Sequence, residues 1–171
     1  MDGATLRAAQ LPLKQAYQED PSSALVTLAR SGTVGEGVTC AVSTGSALAR
    51  AGLHPATGGD GFSLCSGDLL LEALVACAGV TLAAVSTALG IELRSATVHA
   101  QGDIDFRGTL AVSKEAPVGF SSLRLRFDID SDAEDGALEK LLELTERYCV
   151  VWQTIRQATV VESSSRRVTS G

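Results

Sequence analysis

Aromatic side chains make up only 4% of this 171-residue chain, with a single Trp and a single Met, so aliphatic residues must fill most of its core. Two histidines, His54 and His99, lie far apart and have no companions that make a Ser-His-Asp set or a metal site. No Cys-x-x-Cys pair or Cys/His cluster at finger spacing occurs, which argues against structural zinc. No Lys/Arg run accompanies the net charge of -6, which disfavours nucleic acid as a partner. Met1 to Arg30 lacks an apolar signal region, and a reducing cytoplasm is the expected location. The Gly-rich stretch H-P-A-T-G-G-D-G within Gly45–Gly61 lacks the lysine and order of a phosphate loop, so no nucleotide or other cofactor is expected. Neither a repeat nor a linker marks a second domain. Residues 1–171 read as one domain with an N-terminal helical extension over 1–23 and a frayed tail over 163–171.

What the chain does have is a 45% hydrophobic composition and one dominant stretch, Ser66 to Gly90, with Cys77 at its middle. Ser66 can cap a helix there, Asp68 suits the positive end, and Gly90 suits a left-handed exit. No charge falls between Glu72 and Glu92. A helix apolar on every face is buried in a core or in a membrane. The uncharged run Ala73–Ile91 is about the ~20 residues a bilayer needs. Its many Ala, Gly, Ser and Thr residues and its acidic flanks favour a packed core helix instead.

Before this helix, Thr5 is placed to cap a helix to Leu11, continued over Leu13–Tyr17. Ala24–Ala29 and Val38–Ser43 are expected to form a hairpin, with Cys40 as a small buried hydrophobe. Gly45–Gly61 reads as loop. After Gly90, Leu93–Phe106 reads as a strand kinked at Gly102, with Arg107–Val112 continuing the meander. Ser122–Asp130 alternates cleanly, with Leu123, Leu125, Phe127 and Ile129 on one side. His99 falls in the first of these strands, as a structural histidine. Acidic residues from Asp132 open a helix to Tyr148, Val150 starts a second helical segment or a turn, and Thr159–Glu162 is a candidate last strand. The layout is α+β, with sheet on one side of helices. A single sheet covers one face of a helix that is apolar all round, so a homodimer pairing two such helices is expected.

Cys77 and Cys149 are the most suggestive pair for chemistry, though buried cysteines are more often packing residues. A reactive thiol needs a lowered pKa, from a cation or a helix N-terminus, and Cys77 lies about three turns into its own helix. The cation must then come from another segment or a second subunit.

The run G-D-G-F-S-L-C-S-G-D-L-L-L-E-A-L-V-A-C-A-G-V-T-L, together with E-R-Y-C-V-V-W-Q-T-I downstream, resembles the two cysteine motifs of the OsmC/Ohr family, and G-D-I-D-F-R-G-T-L resembles its meander. The likeness spans roughly Ala24 to Glu162. It implies an OsmC-like α+β fold: an intertwined homodimer with central buried helices covered by antiparallel sheets. It also implies a thiol peroxidase for organic hydroperoxides, with Cys77 peroxidatic, Cys149 resolving, and a dithiol or lipoyl-bearing protein as reductant. The family's activating arginine comes from the N-terminal hairpin, where Arg30 is the candidate. Two positions depart from the peroxidase branch. Gly67 stands where that branch has a glutamate, with Asp68 and Glu72 the nearest acids, and Val150 replaces a proline that often follows the second cysteine. Slower turnover than that branch is expected. The alternative reading is a noncatalytic OsmC-like domain that binds an apolar small molecule at the dimer interface. A redox sensor using Cys40 or Cys65 has no motif behind it.

Overall fold

Ser66–Leu89 forms one helix, α1, the longest element among the described residues. This computed structural model describes residues 2–5, 8, 19, 32–34, 39–43, 48–59, 61–111 and 113–167. Gly90 closes α1 in the left-handed conformation (φ 72°), its N–H returning to the carbonyls of Ser86 and Thr87. Ser66 is not the N-cap. Cys65 takes that position without a side-chain hydrogen bond, and Ser66 is already inside the first turn. At the N-terminus, likewise, the Asp2 carboxylate accepts from the Thr5 N–H at 2.8 Å, so Asp2 caps where Thr5 was expected to.

Ahead of α1 come β1 (Gly32–Val34), β2 (Thr39–Ser43), β3 (Leu48–Gly52) and the two-residue β4 (Leu64–Cys65), in one sheet of order β1-β2-β3-β4. The partner of Thr39–Ser43 is Gly32–Val34 on one side, antiparallel, and Leu48–Gly52 on the other. Ala24–Ala29, expected to be that partner, lies outside the described residues. The expected loop over Gly45–Gly61 is corrected by β3 and by a 3-10 turn at Pro55–Thr57. L-A-R-A-G has little intrinsic strand preference, and its ladder to β2 is a backbone matter that composition does not announce.

After α1, β5 (Ser95–Ile104) and β6 (Phe120–Asp130) pair antiparallel in a second, two-stranded sheet. The alternation of β6 holds: Leu123, Leu125, Phe127 and Ile129 are half-buried, while Arg124, Arg126, Asp128 and Asp130 are exposed. Gly102 does not kink the strand. It pairs with Leu123, and the register shift comes after it, between Asp103 and Ile104. Gly102 is needed for another reason, because a Cβ there would sit 2.4 Å from the Phe120 ring. Between these strands, Phe106–Thr109 is a helical turn, α2, rather than more meander. The Asp105 carboxylate caps it by accepting from the Arg107 N–H, the local competition by which Asp favours helix starts over strands.

Two helices complete the chain, α3 (Asp135–Tyr148) and α4 (Val150–Arg156), separated by Cys149 alone. Thr159–Glu162 is exposed and forms no strand. Along α1 the fully buried residues are Leu74, Ala78, Leu82 and Ser86, four apart, so they form one stripe. Neighbours of α1 are α3, which brings Leu141 and Thr145 into the core, α4 and β5. Each buried leucine contributes about 1.5–3 kcal/mol. On the opposite side, Ala73, Ala76, Val80 and Ala83 are exposed. Their 3-4-3 spacing is a second stripe, and Val80 is 73% exposed. Thus the helix is apolar all round but covered on one side by the described residues.

Candidate functional site

The half-buried Cys77 of α1 and the fully buried Cys149 meet where α4 begins, and both are free thiols. Cys149 has extended backbone dihedrals (φ -72°, ψ 108°) that end α3 and start α4. A helix start leaves its first N–H groups without intrahelical acceptors. Here sulfur faces them. The Trp152 N–H donates to the Cys149 Sγ at 3.5 Å, and the Val150 and Val151 N–H groups lie on the side of the Cys77 sulfur, where they favour its thiolate.

These contacts divide the two thiols. Burial pushes Cys77 up, but the Val151 N–H, the Cys149 thiol, the Val150 N–H and the Thr81 hydroxyl all favour the thiolate. Together they hold Cys77 below an ordinary thiol. Burial likewise pushes Cys149 up; the Trp152 and Val151 N–H groups oppose this, while the Cys77 thiol and the charge on Cys77 push it higher still. The Thr81 hydroxyl lies 2.7 Å from the Cys77 carbonyl, which keeps it beside the sulfur, and its one proton serves one of these two acceptors at a time. The surroundings thus favour the charged form at Cys77 and the protonated form at Cys149.

The sequence pointed to Cys77 and Cys149, and the fold brings them together. It also pointed to Arg30, which lies outside the described residues. What sequence reasoning missed is that backbone N–H groups at the start of α4 serve Cys77. The available signal was the change from the helical T-E-R-Y to C-V-V-W. Gly67 and Asp68 sit elsewhere, in the first turn of α1. With His54, Cys65, Phe106 and Phe120 they line a cavity of about 360 Å³. His54 stacks on Phe106 with centroids 5.0 Å apart, its Nδ1 accepting from the Ala56 N–H. His99 Nε2 lies 3.0 Å from Asp128 Oδ2 on the sheet. Among the described residues no group of His, Cys, Asp and Glu could hold a metal ion.

Residues 58–164 match the sequence model of the family described as OsmC-like protein. No curated protein matches the chain. Among solved structures, the OsmC-like protein from Mycoplasma pneumoniae is similar with a TM-score of 0.65 at 14% identity, over 78% of this chain and 89% of that one. An organic hydroperoxide resistance protein OsmC from Legionella pneumophila gives 0.60 at 17%, over 77% and 92%. An organic hydroperoxide resistance protein from Elizabethkingia anophelis gives 0.61 at 18%, over 78% and 91%. At these identities the likeness is one of fold.

Proposed function

The chain belongs to the OsmC-like protein family, and from that premise we propose that it is a thiol peroxidase that reduces organic hydroperoxides through Cys77 and Cys149. The observation that carries this reading is the meeting of two free thiols at the start of α4, with Cys77 held below and Cys149 above the ordinary thiol range. The Cys77 thiolate attacks the terminal oxygen of the hydroperoxide. The O–O bond breaks, the hydroxyl stays on sulfur as a sulfenic acid, and the organic oxygen leaves and takes up a proton as the alcohol. Loss of the Cys77 charge removes the repulsion that raised Cys149, which then ionises more readily. The Cys149 sulfur attacks the sulfenic sulfur, a disulfide forms and water leaves. An external dithiol, such as a lipoyl group, supplies two electrons and two protons by exchange and restores both thiols.

The partner in assembly is a second copy. The exposed Ala73, Ala76, Val80 and Ala83 stripe is opposite the buried one, and its small residues let two α1 helices approach closely. An interface of this kind gives the site apolar walls for an alkyl or aryl group. Arg30 is the proposed cation that adds to the amides around Cys77. Free thiols in a reducing cytoplasm suit this cycle.

Competition between cumene hydroperoxide and hydrogen peroxide, with dihydrolipoamide as reductant, tests the substrate class. The organic hydroperoxide is expected to be consumed preferentially, and Cys77→Ser to abolish consumption. Turnover of neither peroxide by the reduced protein would overturn the reading in favour of a noncatalytic domain that binds an apolar ligand.

A further inference from the structure

The single-residue break between α3 and α4 leaves two backbone groups without their usual partners. In an unbroken helix the Val150 N–H would donate to the Glu146 carbonyl four residues back. Instead Cys149 closes α3, its N–H donating to Thr145 O at 3.0 Å, and α4 starts afresh with Gln153 N–H donating to Cys149 O at 2.9 Å. The Val150 N–H is thereby left without an intrahelical acceptor, on the side of the Cys77 sulfur. The Glu146 carbonyl would be left bare, but the side chain of Gln153 turns back across the break and its Nε2 donates to that oxygen at 2.8 Å. Its own Oε1 accepts from Gln157 Nε2 at 3.0 Å, which orients the amide with its donor toward α3.

The broken and continuous forms of this joint compete for the same carbonyl. We propose that Gln153 is a positioning residue for Cys77: by occupying the Glu146 carbonyl it holds the break at Cys149, and so keeps the Val150 and Val151 N–H groups on the Cys77 sulfur. Without that side chain, the unsatisfied carbonyl draws the Val150 N–H back into an extended α3. Val150, a β-branched residue, does not itself prevent that as proline would. This inference takes Cys77 as the reactive thiol, and so rests on the proposed function for its significance.

The test is the pH dependence of iodoacetamide alkylation at Cys77, read on the full chain by peptide mass spectrometry, for wild type, Gln153→Met and Gln153→Lys. Met matches the length of Gln without a donor, whereas Lys keeps one. Gln153→Met is expected to move the Cys77 midpoint up by about one pH unit and so to slow alkylation about tenfold below both midpoints. Gln153→Lys is expected to stay within about twofold of wild type. Should Gln153→Met not fold, Gln153→Glu, whose carboxylate cannot donate, takes its place in the contrast. A donorless variant that titrates like wild type, or Gln153→Lys shifted as far as Gln153→Met, overturns the proposal. The readout needs no peroxide, so an upward shift in a protein that fails to turn over hydroperoxide defeats the peroxidase reading and leaves the positioning role standing.

Discussion

Replacing Cys149 by Ala and by Ser separates the two roles proposed for this one thiol. In both variants the proposed resolving sulfur is gone. Serine keeps an O–H that can donate to the Cys77 thiolate, and alanine does not. A hydrogen bond to a charged group is worth about 1.5–3 kcal/mol, and one pH unit corresponds to 1.36 kcal/mol. Cys149→Ala is therefore expected to raise the Cys77 midpoint by about one to two pH units relative to Cys149→Ser. Because Cys149 is 1% exposed, solvent does not easily replace the missing donor. Thiolate absorbance in the ultraviolet, followed as pH is varied, reads the midpoint. A linked effect has a definite sign. Since Cys77 has a lowered folded-state pKa, its contribution to stability is full above the unfolded thiol's ~8.5 and is lost as pH falls through the folded value. Cys149→Ala narrows that window from below. Equal midpoints in the two variants would refute the claim that the Cys149 thiol holds Cys77 ionised.

Two further perturbations test the framework around the site. Val80→Asp sets a carboxylate in the exposed stripe of α1; if two copies bury that stripe, the uncompensated charge costs several kcal/mol. Sedimentation at low micromolar concentration is then expected to show dimer for wild type and monomer for the variant, and a wild-type monomer would remove the interface. Leu141→Ala empties a wholly buried position against α1 and is expected to lower stability by about 2–5 kcal/mol in urea unfolding. A loss under 1 kcal/mol would show that α3 does not anchor the core.

The parts of this fold that were readable in the sequence are those where side chains alone decide the outcome. The Ser66–Leu89 helix announces itself by its missing charges and by Gly90, and β6 by the alternation from Ser122 to Asp130. Elements set by backbone partners were not readable. The β3 strand exists through its ladder to Thr39–Ser43, and Phe106–Thr109 turns helical because Asp105 captures an amide. The candidate site divides in the same way. The motif resemblance picked out both cysteines, but the groups that lower Cys77 include main-chain N–H groups exposed by a break at Cys149, and amides leave no residue type to recognise. The expected last strand at Thr159–Glu162 finds no partner among the described residues, which is why its β-branched pair stands exposed.

The central claim is that Cys77 and Cys149 are a redox pair, and peptide mass spectrometry of the protein after one equivalent of cumene hydroperoxide tests it most directly. A Cys77–Cys149 disulfide that is reversed by dihydrolipoamide is expected, with Cys40 and Cys65 still thiols, and sulfenic or sulfinic acid at Cys77 when Cys149 is replaced by serine. Cys77 persisting as a thiol under excess organic hydroperoxide would contradict it.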